Sequence, residues 1–261
     1  MRGTQTPKSL GYRALVLCTF ALMAMFWASP LPAQTGVAHD GAKWEPQDVR
    51  RRPIVVAGGG ETNFVNDTFT EASDTVLSSH TPELGGTWVD HTDAAYTDTL
   101  SIIGSTDRAW KSSGTSAGMY YNDATPPSAD YCVEGIMFNH TVLGSSNTAI
   151  AWRVDTASNT MMIFQLNNGT GWRIRKIVSG TQTTIRSEDT TTEIPGVGDT
   201  KTMKACSSGN THTAYVNGTL LGTVGGSDSS VTAAGKVGMR FNGTYTTTTG
   251  PQFNSFRAFT P

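Results

Sequence analysis

Hydrophobic and polar positions alternate with a period of two through most of the chain, in short runs closed by turn residues. That is the pattern of half-buried β-strands. In residues 201–224, Met203, Ala205 and Ser207 fall on one face and Thr202, Lys204 and Cys206 on the other; 213–216 and 220–224 repeat the alternation. The breaks are Ser207-Ser208-Gly209-Asn210 and Asn217-Gly218. An Asn-Gly pair between alternating runs is the strongest short-range hairpin signal. Strands are also predicted around Phe69, at Trp88 and Val89, and at 100–103, 119–121, 131–138, 149–154, 161–166, 172–178, 183–185, 237–241 and 252–259. Turn chemistry separates nearly all of them, including Pro126-Pro127, Asn167-Asn168-Gly169 and Ser179-Gly180. With no amphipathic helix in the pattern, the chain reads as an all-β sandwich or barrel.

Composition agrees. Charged residues are only 15% and glycine reaches 28 residues, a balance that favours strands and turns over helices. The net charge of −2 gives no basic field to recruit nucleic acid or an anionic membrane. Residues 1–33 read as a secretory signal: Arg2, Lys8 and Arg13 precede an apolar run at 14–28, and Leu31-Pro32-Ala33 supplies a small residue for cleavage. Left uncleaved, that run would be the chain's membrane attachment. Residues 34–62, with Pro46, Pro53, Arg50–Arg52 and three glycines at 58–60, read as a flexible linker, apart from a brief strand at 54–57. A single domain is expected over 63–261, in a secreted, periplasmic or extracellular protein.

Asp67 to Phe69, Gly85-Gly86-Thr87-Trp88, the strand at 130–138, the 215–218 hairpin and the closing 253–259 run, in that order, resemble the concanavalin A-like lectin/glucanase superfamily. The resemblance is closest to its laminin-G-like and pentraxin-like members. It implies a two-sheet antiparallel jelly-roll sandwich, one sheet concave, with the first and last strands adjacent. It also implies glycan or extracellular-protein ligands, often with calcium, and in some members cleavage of polysaccharides.

Glucanase chemistry needs carboxylates at alternate positions of one strand. Here Glu134 stands alone in its strand, and Glu188, Asp189 and Glu193 lie in a Thr-rich loop. Gly114-Thr115-Ser116-Ala117-Gly118 fits the nucleophile-elbow spelling, but neither a buried strand nor a helix flanks it. The five histidines have no paired-ligand spacing. The expected role is therefore a non-catalytic carbohydrate-binding or adhesion module. A polysaccharide hydrolase or lyase, and a structural or protein-binding surface module, are the alternatives. Aromatic rings match a pyranose face, so Trp110, Tyr120, Tyr121 and Trp172 are candidate sugar contacts. Trp110 and Trp172 are expected exposed; Trp88 and Trp152 are expected in the core. Arg153, Arg173 and Arg175 would suit an acidic polysaccharide. Asp90, Asp93 and Asp98, with Asp67, are candidate calcium ligands.

Signal removal takes Cys18 away and leaves Cys132 and Cys206 in an exported chain. Pentraxin-like jelly rolls carry one bridge between two corresponding neighbouring strands. The resemblance thus implies a Cys132–Cys206 disulfide.

Overall fold

The computed structural model describes residues 60–140, 147–167, 171–190, 192–221, 228–243 and 250–261. The signal, nearly all of the linker with its 54–57 strand, and most of the 220–224 strand lie outside them. Among the described residues there are strands and one short 3-10 turn, Leu77–Ser79, and no α-helix. The strands are β1 (Thr62–Asp67), β2 (Thr75–Val76), β3 (Trp88–Asp90), β4 (Leu100–Ile103), β5 (Arg108–Lys111), β6 (Ala117–Asn122), β7 (Cys132–Asn139) and β8 (Asn147–Asp155). They continue as β9 (Thr160–Asn167), β10 (Gly171–Val178), β11 (Thr181–Asp189), β12 (Thr200–Ser208), β13 (Thr211–Val216), β14 (Thr219–Leu220), β15 (Lys236–Asn242) and β16 (Pro251–Thr260).

They form two antiparallel sheets. One runs β14-β13-β12-β7-β16-β5-β4-β2, with β1 also on β16; the other runs β11-β10-β9-β8-β15-β6-β3. β16 pairs with β7 along one edge, while β5 and β1 share its other edge. The first and last strands among the described residues are therefore adjacent, as in a concanavalin A-like jelly roll, and this is the fold.

The alternation explains the layers. In β7, Val133, Gly135 and Met137 point into the sandwich, while Glu134, Ile136 and Phe138 stay half-exposed. In β12 and β13 the inward sets are Met203, Ala205, Ser207 and His212, Ala214, Val216. Between the sheets Trp88 meets Phe256 edge-on at 5.4 Å and Phe241 meets Phe253 at 5.5 Å. Trp88 and Trp152 both belong to this core. At the β13–β14 turn Asn217 and Gly218 have φ of 48° and 82°, the paired left-handed conformation a two-residue hairpin turn demands.

The bridge forms. Cys132 and Cys206 face each other directly across the β7–β12 ladder, Cα atoms 4.0 Å apart, joining positions 74 residues apart. Strands β2 and β5, and the full extent of β1, were not anticipated. In β5 the residue beside Ala109 on the inward face is Lys111, so the apolar alternation is absent from its sequence. Phe69 lies beyond β1 with φ of 55°, outside any strand.

Candidate functional site

In a two-layer sandwich the outward faces are ordinarily wet. On the seven-stranded sheet the inward set includes Trp172, Ile174, Phe164, Ile150 and Met239. Their sequence neighbours point outward, and many of those are buried as well. Met119, Ala149, Ala151, Met161 and Ile163 form a second apolar cluster with Tyr96, Val154 and Ile177.

Register sets this outer face out in rows. One runs Arg175, Ile163, Ala151, Gly238, Tyr121 across five strands. The next runs Arg173, Gln165, Ala149, Arg240, Met119, and a third Asn167, Asn147, Asn242, Ala117. Small residues occupy the middle. A Cβ on Gly238 would stand 2.3 Å from the Tyr120 carbonyl oxygen, so nothing larger fits there. Amides stitch the rows: Gln165 Nε2 donates to Asn147 Oδ1 at 3.2 Å and Gln182 Nε2 to Gln165 Oε1 at 3.4 Å. No carboxylate stands in the three rows.

At the β6 end the face closes over a knot of rings. His91 packs edge-on to Tyr96 at 4.9 Å and to Tyr121 at 6.2 Å, and the Arg240 guanidinium lies 5.7 Å from the Tyr96 ring centre. Tyr96 donates its hydroxyl to Asn159 Oδ1 at 3.3 Å, and burial raises its pKa. Burial lowers the pKa of His91, whose Nδ1 accepts the Asp93 backbone N–H at 3.2 Å.

Of the residues singled out from sequence, Tyr121, Arg173 and Arg175 come together on this face. Four others do not. Tyr120 and Trp172 point the opposite way, into the core, because each is one position out of phase with Tyr121 and Arg173. Trp172, expected exposed, is 1% exposed and donates its indole N–H to the Thr192 carbonyl at 2.8 Å. Arg153 is 2% exposed and serves as a brace, bonding the carbonyls of Ala129, Val231 and Gly209 from a left-handed backbone position. Trp110 is half-buried on β5, in the other sheet.

The four aspartates do not converge, and among the described residues no group of three or more His, Cys, Asp or Glu is placed to hold a metal. Asp67 is fully buried and already satisfied. Its Oδ1 accepts from Phe69 N at 2.7 Å and bonds His80 Nε2 at 2.9 Å, and its Oδ2 accepts from Trp88 Nε1 at 2.5 Å. Asp98 bonds the buried Lys111 ammonium at 2.7 Å. That ammonium also donates to the carbonyls of Gly114, Ser116 and Gly243, so a side-chain cation sits where oxygens gather. Asp90 is exposed, and Asp93 accepts from Ala95 N at 2.8 Å. These residues do not fit a calcium site. The Ser116 loop leads directly into β6, with no helix behind it.

Sequence reasoning missed Gln165, Asn147, Asn167, His91, Tyr96 and Arg240. For Gln165 and Asn167 a signal existed: both alternate with Phe164 and Leu166, polar residues on the outward side of an otherwise apolar strand.

No protein-family model and no curated protein matches the chain. Solved structures resemble it. A GlcNAcα1-4Gal-releasing endo-β-galactosidase from Clostridium perfringens superposes with a TM-score of 0.51 at 11% identity, over 82% of this chain and 66% of that one. The carbohydrate-binding module CBM66 from Bacillus subtilis gives 0.47 at 15%, over 68% and 94%. The metal-free VIP36 exoplasmic/lumenal domain gives 0.48 at 12%, over 77% and 94%.

Proposed function

We propose that this chain is an exported, non-catalytic glycan-binding module whose ligand lies across the outer face of the seven-stranded sheet. The observation that carries the reading is that face itself. Half-buried Arg173, Arg175, Asn147 and Tyr121 stand in the same rows as small, fully buried residues, so their polar groups and the tyrosyl ring are what a sugar laid on this face would meet, with the buried Gln165 amide bonded to Asn147 behind them. Two-carboxylate hydrolysis requires a pair of acids across the scissile bond, and the rows offer none. The fold is shared with an endo-β-galactosidase, which is compatible with a saccharide ligand. The Cys132–Cys206 bridge suits an oxidising compartment and so supports export through the 1–33 signal.

A glycan array run beside reducing-sugar and unsaturated-product assays tests this. Binding without turnover is expected, and the double variant Tyr121→Ala, Arg173→Ala should weaken it at least tenfold. Turnover on any polysaccharide makes the chain an enzyme and ends the reading. Silence in every assay favours a structural or protein-binding surface module.

A further inference from the structure

Among the described residues, the buried side-chain cations Lys111 and Arg153 are surrounded by acceptors. Lys111 has Asp98 and three carbonyls, and Arg153 has three carbonyls with Asp130 at 3.6 Å. Arg240 differs. It is 8% exposed, forms no ion pair with any described carboxylate, and its Nε has no partner. Its row neighbours are Ala149 and Met119, and its close companion is Tyr96, whose hydroxyl accepts from the guanidinium but brings no counter-charge. A histidine in such a place sheds its proton. A guanidinium does not, so the charge stays and burial without a counter-charge is costly.

A second donor beside it is in the same condition. His91 is 1% exposed, and its Nδ1 accepts the Asp93 N–H, which leaves the proton of the neutral ring on Nε2. That Nε2 has no acceptor. His91 and Arg240 pack on the same Tyr96 ring, so two unanswered donors, one of them charged, meet at one end of the proposed glycan face. The group that completes them accepts hydrogen bonds only and carries negative charge.

We propose that Arg240 and His91 receive the anionic group of an acidic saccharide, a uronate carboxylate or a sulfate ester, with Tyr96 beside it and the rest of the sugar chain on the rows of β8 to β10. A guanidinium grips either anion with two parallel bonds. The proposal rests on the glycan-binding reading of this face and narrows its ligand.

Titration calorimetry on the full chain, using uronate-bearing, sulfated and neutral oligosaccharides of matched length, is the test. An acidic oligosaccharide should bind at least tenfold tighter than its neutral counterpart; the carboxylate and sulfate arms identify which anion is taken. Arg240→Gln should erase that preference while the melting temperature holds or rises, because an unanswered buried charge has gone. His91→Phe, which keeps the ring packing, should weaken acidic ligands several-fold and neutral ones little. It carries the test if Arg240→Gln fails to fold. A preference that survives Arg240→Gln or, should that variant not fold, His91→Phe, overturns the proposal. Tight binding of neutral glycans alone overturns it too, yet leaves the glycan-binding face standing. If no oligosaccharide binds, that broader reading falls, and thermal shifts with sodium glucuronate and sodium sulfate decide: a wild-type shift abolished by Arg240→Gln supports the anion site, and no shift ends it.

Discussion

On the outer face of the nine-stranded sheet, Arg257 donates to Glu134 at 2.8 Å and to Glu61 at 3.0 Å, with its guanidinium 4.3 Å from the Phe259 ring centre. Arg108 lies over Phe138 at 3.8 Å and Lys204 over Tyr215 at 4.7 Å. On the outer face of the seven-stranded sheet, Arg240 has Tyr96 and no acid among the described residues. Cations answered within the chain tie strands together. A cation left unanswered, deeper in the protein, is the better mark of a place where something else arrives.

Two buried histidines draw the same contrast. His80 bonds Asp67 through Nε2 at 2.9 Å and Glu71 through Nδ1 at 2.6 Å. Burial pulls its pKa down, but the two acids outweigh it and hold it up at about 9. His212 has no acid bonded to its ring; Ser207 Oγ meets its Nδ1 at 2.8 Å and takes the Trp152 indole N–H at 2.7 Å. Desolvation, reinforced by the Arg153 charge, lowers His212 to about 4. The partner decides whether a buried base keeps its proton.

The largest effect should come from cutting the bridge on the nine-stranded face. Cys132→Ala with Cys206→Ala frees a loop of 74 residues and should cost about 4 kcal/mol in urea denaturation. If that face is scaffold and the other the site, the fraction that stays folded binds glycan as before. Lost affinity in folded protein would blur the division.

Next comes pH. The His80 contribution is complete below its ordinary pKa of 6.5 and is lost as pH rises through about 9. His212 acts in the opposite sense. Between 6.5 and about 4 the unfolded chain takes up a proton the folded one refuses, so stability falls as pH drops through that window. Each limb is on the order of 3 kcal/mol. Urea midpoints should peak near pH 6.5, with His80→Gln flattening the alkaline side and His212→Asn lessening the acid side. An alkaline limb that persists in His80→Gln would show that the Asp67–His80–Glu71 cluster is not its source.

The smallest effect sharpens the comparison most. Arg257→Ala removes two partly exposed ion pairs and should cost about 1 kcal/mol or less, with glycan affinity unchanged. Arg240→Gln should do the reverse. Equal effects of the two on binding would mean that the presence or absence of an acid partner does not separate scaffold from site.

Much of the site was half-legible for one reason. In a strand, adjacent residues face opposite ways, so Tyr120 with Tyr121, Trp152 with Arg153 and Trp172 with Arg173 cannot be collected onto one surface. The alternation of Trp172 with Ile174 already put the indole inward; the glycine turn beside it suggested exposure and misled. Arg153 carries a further signal that no pattern displays, its φ of 53° at a bulge where the β8–β15 register shifts.

The sequence by itself determined the strands, the Asn217-Gly218 hairpin and the class of fold, because these depend on period and on turn conformation within a few residues. It determined the cysteine pair as well, once resemblance supplied the neighbouring strands. Only the tertiary structure decided which outward residues share a face, since β15 lies between β8 and β6, both remote from it in the chain. It also decided what each charge meets. Asp67 is spent on His80 and Trp88, Asp98 on Lys111, and Arg240 on none of the described acids. Electrostatic partners are chosen by distance in space, and distance in space is what packing creates.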